Sequence, residues 1–191
     1  MKNKKYTNIK KITNITMRAF VKTAGAAGAA GIIVVAPNAT QAITLVAKKL
    51  NKKQPKRFSE QVKNSGYFSV QKIDDNRYAI TLTPKGQCMN TKVLFEDYKI
   101  PINGAWDNKW HLLMFDIPEQ YRLVRDTLRY KIESLGMVLI QNSVYVYPYD
   151  ISEFVAMVHT NYPFASKHII SAEVTHLDGQ NQLIQKFKSI L

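Results

Sequence analysis

The sequence has a single cysteine, Cys88, among its 191 residues. One thiol cannot build an internal disulfide framework, and such sparse cysteine use agrees with a reducing compartment. The four histidines lack the close spacing of a zinc site. Gly25, Gly28 and Gly31 recur every three residues, which is not the glycine spacing of a dinucleotide-binding loop. Disulfide scaffolds, zinc modules and nucleotide-binding loops are therefore not indicated.

Acidic residues are absent before Glu60, where the sequence has 13 lysines and arginines. From Glu60 onward, 14 basic residues face 14 acidic ones, so the whole formal charge of +13 belongs to residues 1–59. Such asymmetry favours a polyanionic partner, either nucleic acid or an anionic membrane surface. A solubilising tail is the alternative interpretation.

Charged residues are also absent from residues 23–47. A basic start followed by an apolar run resembles a signal or a membrane anchor, since about 20 apolar residues span a bilayer. Pro37 and Asn38 interrupt this run, and its alanines and glycines make it weakly hydrophobic. We expect soluble helices and a cytoplasmic protein; the alternative is a membrane-associated or exported protein that uses residues 17–42.

The N-terminal half has the element order of a winged helix-turn-helix domain. We predict a basic tail over residues 1–15 and a winged-helix domain over residues 16–98 that begins with a long helix, Thr16–Ala36. Asn38 then caps a second helix that continues through Leu50, and Pro55 starts a third, basic helix that Gly66 ends. A hairpin pattern follows, and its phrase SGYFSVQKIDDNRYAITLTPKGQ resembles the wing of many bacterial repressors.

Side chains suited to DNA are concentrated on the third predicted helix. Amide and guanidinium groups read base edges, whereas lysines suit phosphates. Each position could also be an ordinary solvated surface residue. The candidate DNA-binding residues are Lys56, Arg57, Gln61, Lys63, Asn64 and, at the tip of the wing, Arg77.

Residues 99–191 show a β-α-β-β-α-β pattern with a terminal helix, which predicts a ferredoxin-like domain in an α+β protein. The apolar run of Trp110–Ile117 predicts a buried first strand, and Gly136 ends the helix that follows. Three tyrosines lie in the predicted strand Ser143–Tyr147 or just beyond it. We expect them to fill a core or a dimer interface: Tyr145, Tyr147 and Tyr149.

The phrases FDIPEQYRLVRDTLR and GMVLIQNSVYVYP resemble the central domain of PaaX-type transcriptional repressors and, more distantly, the CRISPR-associated endonuclease of the second Cas family. The first resemblance implies a homodimeric transcription regulator that binds double-stranded DNA and responds to a small-molecule effector. The second implies a Mg²⁺-dependent endonuclease or adaptation protein with a CRISPR integrase as partner. We favour the regulator and keep the enzyme as the alternative.

Asp116 occupies the position that this endonuclease family uses to bind its metal, with two copies facing each other across a dimer. The resemblance thus implies a catalytic, Mg²⁺-binding Asp116. An aspartate just before a helix that starts with proline can equally cap that helix, and we prefer a capping or structural role. Three arginines on the following helix could grip phosphates, or pair with Asp126, Glu133 or a partner copy: Arg122, Arg125 and Arg129.

Overall fold

The structure is a computed structural model that describes residues 15–51 and 53–191. It is an α+β protein with two antiparallel sheets. The chain divides into two compact units, unit 1 up to Leu94 and unit 2 from Phe95 to Leu191. All but the last residue of the predicted basic tail lies outside the described residues.

Unit 1 combines helices with a three-stranded antiparallel sheet in the order β1-β3-β2. Its helices are α1 (15–26), α2 (Ala39–Leu50), α3 (Pro55–Ser65) and α4 (Pro84–Asp97), and its strands are β1 (Ile32–Val35), β2 (Phe68–Lys72) and β3 (Arg77–Leu82). The division between the units falls within α4.

The predicted long helix Thr16–Ala36 is wrong over its second half. The helix ends at residue 26, and β1 instead pairs with β3, with Ile32 opposite Ile80. Gly31 has a φ of +67°, a left-handed conformation that no helix continues. A Cβ at Gly31 would lie 2.8 Å from the carbonyl oxygen of Ile80, so this glycine permits close contact with a strand. The β-branched residues that follow favour extended backbone.

Helices α2 and α3 begin and end where the sequence predicts. Asn38 caps α2, and its side-chain oxygen accepts a hydrogen bond from Gln41 N at 2.9 Å. Pro55 lies in the first turn of α3, and Gly66 ends that helix in the left-handed region. The buried core of unit 1 contains Phe20, Ile43, Val46, Ala47, Phe58, Val62 and Ile80.

Unit 2 contains a four-stranded sheet in the order β5-β6-β4-β7, with all neighbours antiparallel. Its strands are β4 (Trp110–Phe115), β5 (Val138–Gln141), β6 (Val144–Tyr147) and β7 (Ile169–Val174), and its helices are α5 (Arg122–Ser134), α6 (Ser152–Asn161) and α7 (Gln180–Phe187). Short 3-10 turns, Glu119–Tyr121 and Pro163–His168, precede α5 and β7.

The core of unit 2 lies between the sheet and its helices. Leu113 of β4 packs with Leu128 and Ile132 of α5 and with Phe154 of α6, and all four are fully buried. The prediction that the three tyrosines around β6 fill a core is confirmed, because each is at most 8% exposed: Tyr145, Tyr147 and Tyr149.

The uncharged residues 23–47 are divided among α1, β1 and α2. Within residues 15–51 and 53–191, no helix combines the length and the apolar character needed to cross a bilayer.

Candidate nucleic-acid interface

Helix α3 has one buried side and one side open to solvent. Phe58 and Val62 are each 1% exposed and anchor the helix in the core of unit 1. Ser59 is also buried, and its hydroxyl donates a hydrogen bond to the carbonyl oxygen of Lys56. This packing fixes which residues of the helix face outward.

The outward side of α3 carries Lys56, Arg57, Glu60, Lys63 and Asn64, all of them exposed. The side chains of Lys56, Arg57 and Asn64 form no hydrogen bond or ion pair with any residue that the structure describes. Two cationic groups and one amide are thus available to a ligand. A polyanion would meet them without first having to displace a protein partner.

Two other predicted contacts on α3 are less accessible than the sequence indicated. Gln61 is half-buried, and its Oε1 atom is buried with no hydrogen-bond partner among the described residues. Lys63 is exposed, but its Nζ donates to the hydroxyl of Thr40 on α2 at 3.0 Å. Lys63 therefore links the two helices, and Gln61 turns its acceptor inward.

The predicted wing is the hairpin of β2 and β3, and its turn carries balanced charge. Arg77 forms an ion pair with Asp74, which holds the pKa of that carboxyl below its usual value, chiefly through the hydrogen bond from Arg77. Lys72 pairs with Asp75 at 3.2 Å. Both basic side chains near the turn have local partners, so the wing offers less free positive charge than α3.

Sequence reasoning did not identify Lys85 or Thr40 as part of this surface. Lys85, on α4, donates from Nζ to the carbonyl oxygen of Ser65 at the end of α3, and lies 5.1 Å from the ring centroid of Tyr67. The hydrogen bonds of Lys63 to Thr40 and of Lys85 to Ser65 join residues 23 and 20 positions apart in the chain. No local sequence signal reports such pairs.

Asp116 lies in a different place, at the end of β4 in unit 2. It is exposed, and its backbone N–H donates to the carbonyl oxygen of His168 at 3.0 Å. The capping role is wrong, because the caps are Pro118 for the 3-10 turn and Tyr121 for α5, neither with a side-chain cap bond. The structural role of Asp116 stays a prediction. Asp116 lines a groove of about 390 Å³ together with Ser143 and Lys167.

In a single copy of the chain, the groove around Asp116 does not supply the ligands that a magnesium ion prefers. Mg²⁺ prefers octahedral oxygen ligands with one or two carboxylates. Asp116 is the only acidic side chain that lines the groove among the described residues, while Lys167 adds a positive charge. No group of three or more potential metal ligands occurs within residues 15–51 and 53–191.

The three arginines of α5 each have a partner within unit 2. Arg122 lies 3.6 Å from Asp126, and Arg125 donates to Glu119 at 2.8 Å. The expected pairing with Asp126 is thus present. The remaining arginine differs from expectation.

Arg129 donates to the hydroxyl of Ser143 at 2.9 Å rather than pairing with Glu133. Ser143 has a φ of +58°, so Arg129 supports a turn that is strained for a residue with a side chain. Each arginine of α5 thus has a polar partner within unit 2, and contact with phosphates or with a partner copy stays a prediction.

Residues 103–184 match the family model of the PaaX protein central Cas2-like domain. The match starts before β4 and ends within α7, so it contains the whole four-stranded sheet of unit 2 and supports a PaaX-like protein. No curated protein matches the chain significantly.

Proposed function

We propose that this PaaX-like protein is a homodimeric transcription regulator that binds double-stranded DNA through a winged helix in unit 1. The observation that carries the proposal is the exposed side of α3, where Lys56 and Arg57 have no ion-pair partner among the described residues. The Cas2-like match in unit 2 supports a regulator of PaaX type.

The order of elements in unit 1 supports the winged-helix assignment. A helix, a strand, two helices and two strands follow one another, and β1 and β2 both pair with β3. In this arrangement α3 takes the place of the recognition helix and the hairpin takes the place of the wing. The unexpected strand β1 strengthens the assignment because it completes the sheet that carries the wing.

Helix α3 suits a major groove in size and in chemistry. Its 11 residues extend about 16 Å at about 1.5 Å per residue. Lysine suits phosphate oxygens, whereas arginine and asparagine can form bidentate hydrogen bonds to guanine and adenine. We therefore assign Lys56 to the DNA backbone and Arg57 and Asn64 to base edges. Gln61, Lys63 and Arg77 are placed at the margin of the interface.

We infer a ferredoxin-like unit 2 because its strand order is the one that a split β-α-β pair produces. One face of this sheet supports self-association. Ile170 is 63% exposed and lies beside Met114 in register, and Met114 lies beside Val144. Burial of this apolar row against a second copy would remove it from water. Two copies would present two winged helices to a two-fold DNA site.

Duplex DNA binding of the full chain at several salt concentrations tests the proposal. We expect log K to fall linearly with log salt, because bound phosphates release counterions. Replacing Lys56 and Arg57 with alanine should weaken binding about 30-fold or more at low salt and, because only Lys56 is assigned to a phosphate, reduce the salt slope by about 1.

Arg122→Ala is the matched control, since it removes an exposed arginine that has local acidic partners. Asp116→Ala should leave DNA binding unchanged. Equal losses in the α3 variant and the Arg122 variant would refute the role of α3. Mg²⁺-dependent cleavage that disappears in Asp116→Ala would instead favour the nuclease alternative.

The dimer is tested by sedimentation of the full chain and of Ile170→Glu. A charge at the centre of the apolar row should raise the dissociation constant of the dimer about tenfold or more, because an unpaired carboxylate is costly to bury. Ser171→Glu is the control on the neighbouring, exposed position of β7. An unchanged mass for Ile170→Glu would show that the copies associate elsewhere or not at all.

A further inference from the structure

Unit 2 contains a second concave site, a cavity of about 560 Å³, that the proposed DNA-binding function does not use. Four carboxylates line it, and no lysine or arginine does among the described residues: Asp107, Asp150, Glu153 and Glu173. Cavities of about 300–1,000 Å³ hold small organic ligands. The excess of negative charge excludes an anionic ligand.

His111 is a buried polar side chain on the wall of this cavity. It is 9% exposed and lies in register between Tyr147 of β6 and Glu173 of β7. Its ring forms no hydrogen bond with any residue that the structure describes. Neither ring nitrogen is among the buried polar atoms that lack a hydrogen-bond partner, so the polar edge of the ring remains accessible in the cavity. His111 therefore offers a polar group to a ligand in the cavity, in addition to the carboxylates.

Two of the four carboxylates are engaged by Lys109, which lies outside the lining. Its Nζ is 2.6 Å from Glu173, and its backbone N–H donates to Asp107. This ion pair raises the pKa of Lys109, chiefly through the hydrogen bond that Lys109 donates to Glu173. Lys109 thus partly neutralises the negative charge of Asp107 and Glu173 from outside the cavity.

The other two carboxylates have neutral hydrogen-bond donors only. Asp150 accepts from the backbone N–H and the hydroxyl of Ser152, at 2.9 and 2.7 Å, and these bonds lower the pKa of Asp150. Glu153 accepts from the hydroxyl of Tyr98 at 3.3 Å. Neither has a lysine or arginine ion-pair partner among the described residues.

Asp150 and Glu153 also lie at the start of α6, where the helix dipole attracts negative charge. That dipole is equivalent to only about half a positive charge. The two carboxylates therefore leave net negative charge in the cavity even after the partial positive charge of the helix dipole is taken into account. Stabilisation of α6 alone does not account for both of them together with His111.

We propose that this cavity binds a small organic cation, a primary amine or diamine, between the carboxylates of Asp150 and Glu153 and the ring of His111. Ammonium groups supply positively charged hydrogen-bond donors, whereas the donors that Asp150 and Glu153 have among the described residues are neutral. A bare metal ion is not favoured, since the described residues contain no cluster of three potential metal ligands. The tyrosine rings of Tyr98 and Tyr149 give the cation aromatic walls.

A titration of the full chain with putrescine tests this proposal. The measured signal is the NMR resonances of the histidine rings. We expect saturable shifts of His111, whereas His176, an exposed histidine paired with Asp178, stays unchanged. Butane-1,4-diol and succinate, which have the same chain length but neutral and negative ends, should not shift His111. Equal shifts with the diol, or none with putrescine, would overturn the proposal.

Glu153→Gln should weaken putrescine binding about tenfold or more, because it removes one charge-assisted contact. Asp178→Asn removes an equally exposed carboxylate outside the cavity and should bind as the unmodified chain does. Thermal unfolding of each variant checks its fold. If Glu153→Gln is unstable, Glu173→Gln provides the test, with a smaller loss expected because Lys109 already neutralises that residue. Equal weakening in the Asp178 variant would show that only the overall charge matters.

Discussion

Helices α3 and α5 are both rich in basic residues, but their side chains have opposite surroundings. On α3, Lys56 and Arg57 are exposed and have no ion-pair partner among the described residues. On α5, every arginine has a partner within unit 2, and Lys131 is 8% exposed. The two helices therefore differ in the pairing of their basic residues, and the proposed DNA interface rests on this difference.

The physical reason is that a paired cation must lose its partner before it can bind a phosphate. An exposed ion pair contributes little to stability, about 0–1 kcal/mol, but it cancels much of the field that a polyanion would sense. A buried cation such as Lys131 must also give up its internal hydrogen bonds before it can reach a phosphate. The predictions that follow compare the two helices, from the largest expected effect to the smallest.

Lys131→Ala should destabilise unit 2 by about 2–4 kcal/mol, whereas Lys56→Ala should change stability by less than about 0.5 kcal/mol. The ammonium of Lys131 donates to the carbonyl oxygens of Glu96 and Tyr98, at 2.9 and 2.8 Å. Its removal leaves two carbonyls without a donor and opens a void. Both tryptophans lie in unit 2, so urea unfolding followed by tryptophan fluorescence measures the loss there.

Lys131→Met separates the two causes, because methionine fills most of the space but donates no hydrogen bond. The loss of stability caused by Lys131→Met should be smaller than that caused by Lys131→Ala, but above zero. Equal stability of Lys131→Met and the unmodified chain would show that packing alone gives Lys131 its role.

Arg129→Ala should lower the stability of unit 2 by about 1 kcal/mol, the usual net value of one hydrogen bond. Arg129 holds the hydroxyl of Ser143, and Ser143 has a left-handed backbone. Arg57→Ala, the matched change on α3, should leave stability within about 0.5 kcal/mol and act on DNA affinity instead. Equal stability of Arg129→Ala and Arg57→Ala would contradict the difference in arginine pairing between α5 and α3.

Alkaline pH should weaken unit 2 gradually above pH 10. Burial, assisted by Glu153, raises the pKa of Tyr98 to about 12 from an ordinary value of 10.0. Below pH 10 both states keep the proton. Between pH 10 and 12 the unfolded chain releases it while the folded chain retains it, so stability falls as pH rises.

Three further tyrosines of unit 2, Tyr145, Tyr147 and Tyr162, have pKa values raised mainly by burial and add to this loss. Lys131 opposes it, because burial lowers its pKa and the folded chain then binds fewer protons. Urea titrations at pH 9 and pH 11 measure the change, and Tyr98→Phe should reduce it. An equal pH dependence in Tyr98→Phe would exclude Tyr98 as a cause.

Local sequence signals predicted most elements of both units. Pro55 and Gly66 placed the ends of α3 correctly, and Asn38 placed the start of α2, because a cap or a terminating glycine acts within one turn. The strand β1 was mistaken for helix. Its four residues gain their structure from pairing with β3, more than 40 positions away in the chain.

The sequence by itself determined the chemistry available to each surface: a charge excess confined to residues 1–59, a basic α3 with an apolar side, and an α5 with arginines at helical spacing. Tertiary structure decided which of these charges are free. Partners such as Ser143 for Arg129 and the carbonyl of Tyr98 for Lys131 come from other elements of the fold. Ion pairing and burial depend on distance in space, and periodicity along a chain reports only distance along one helix or strand.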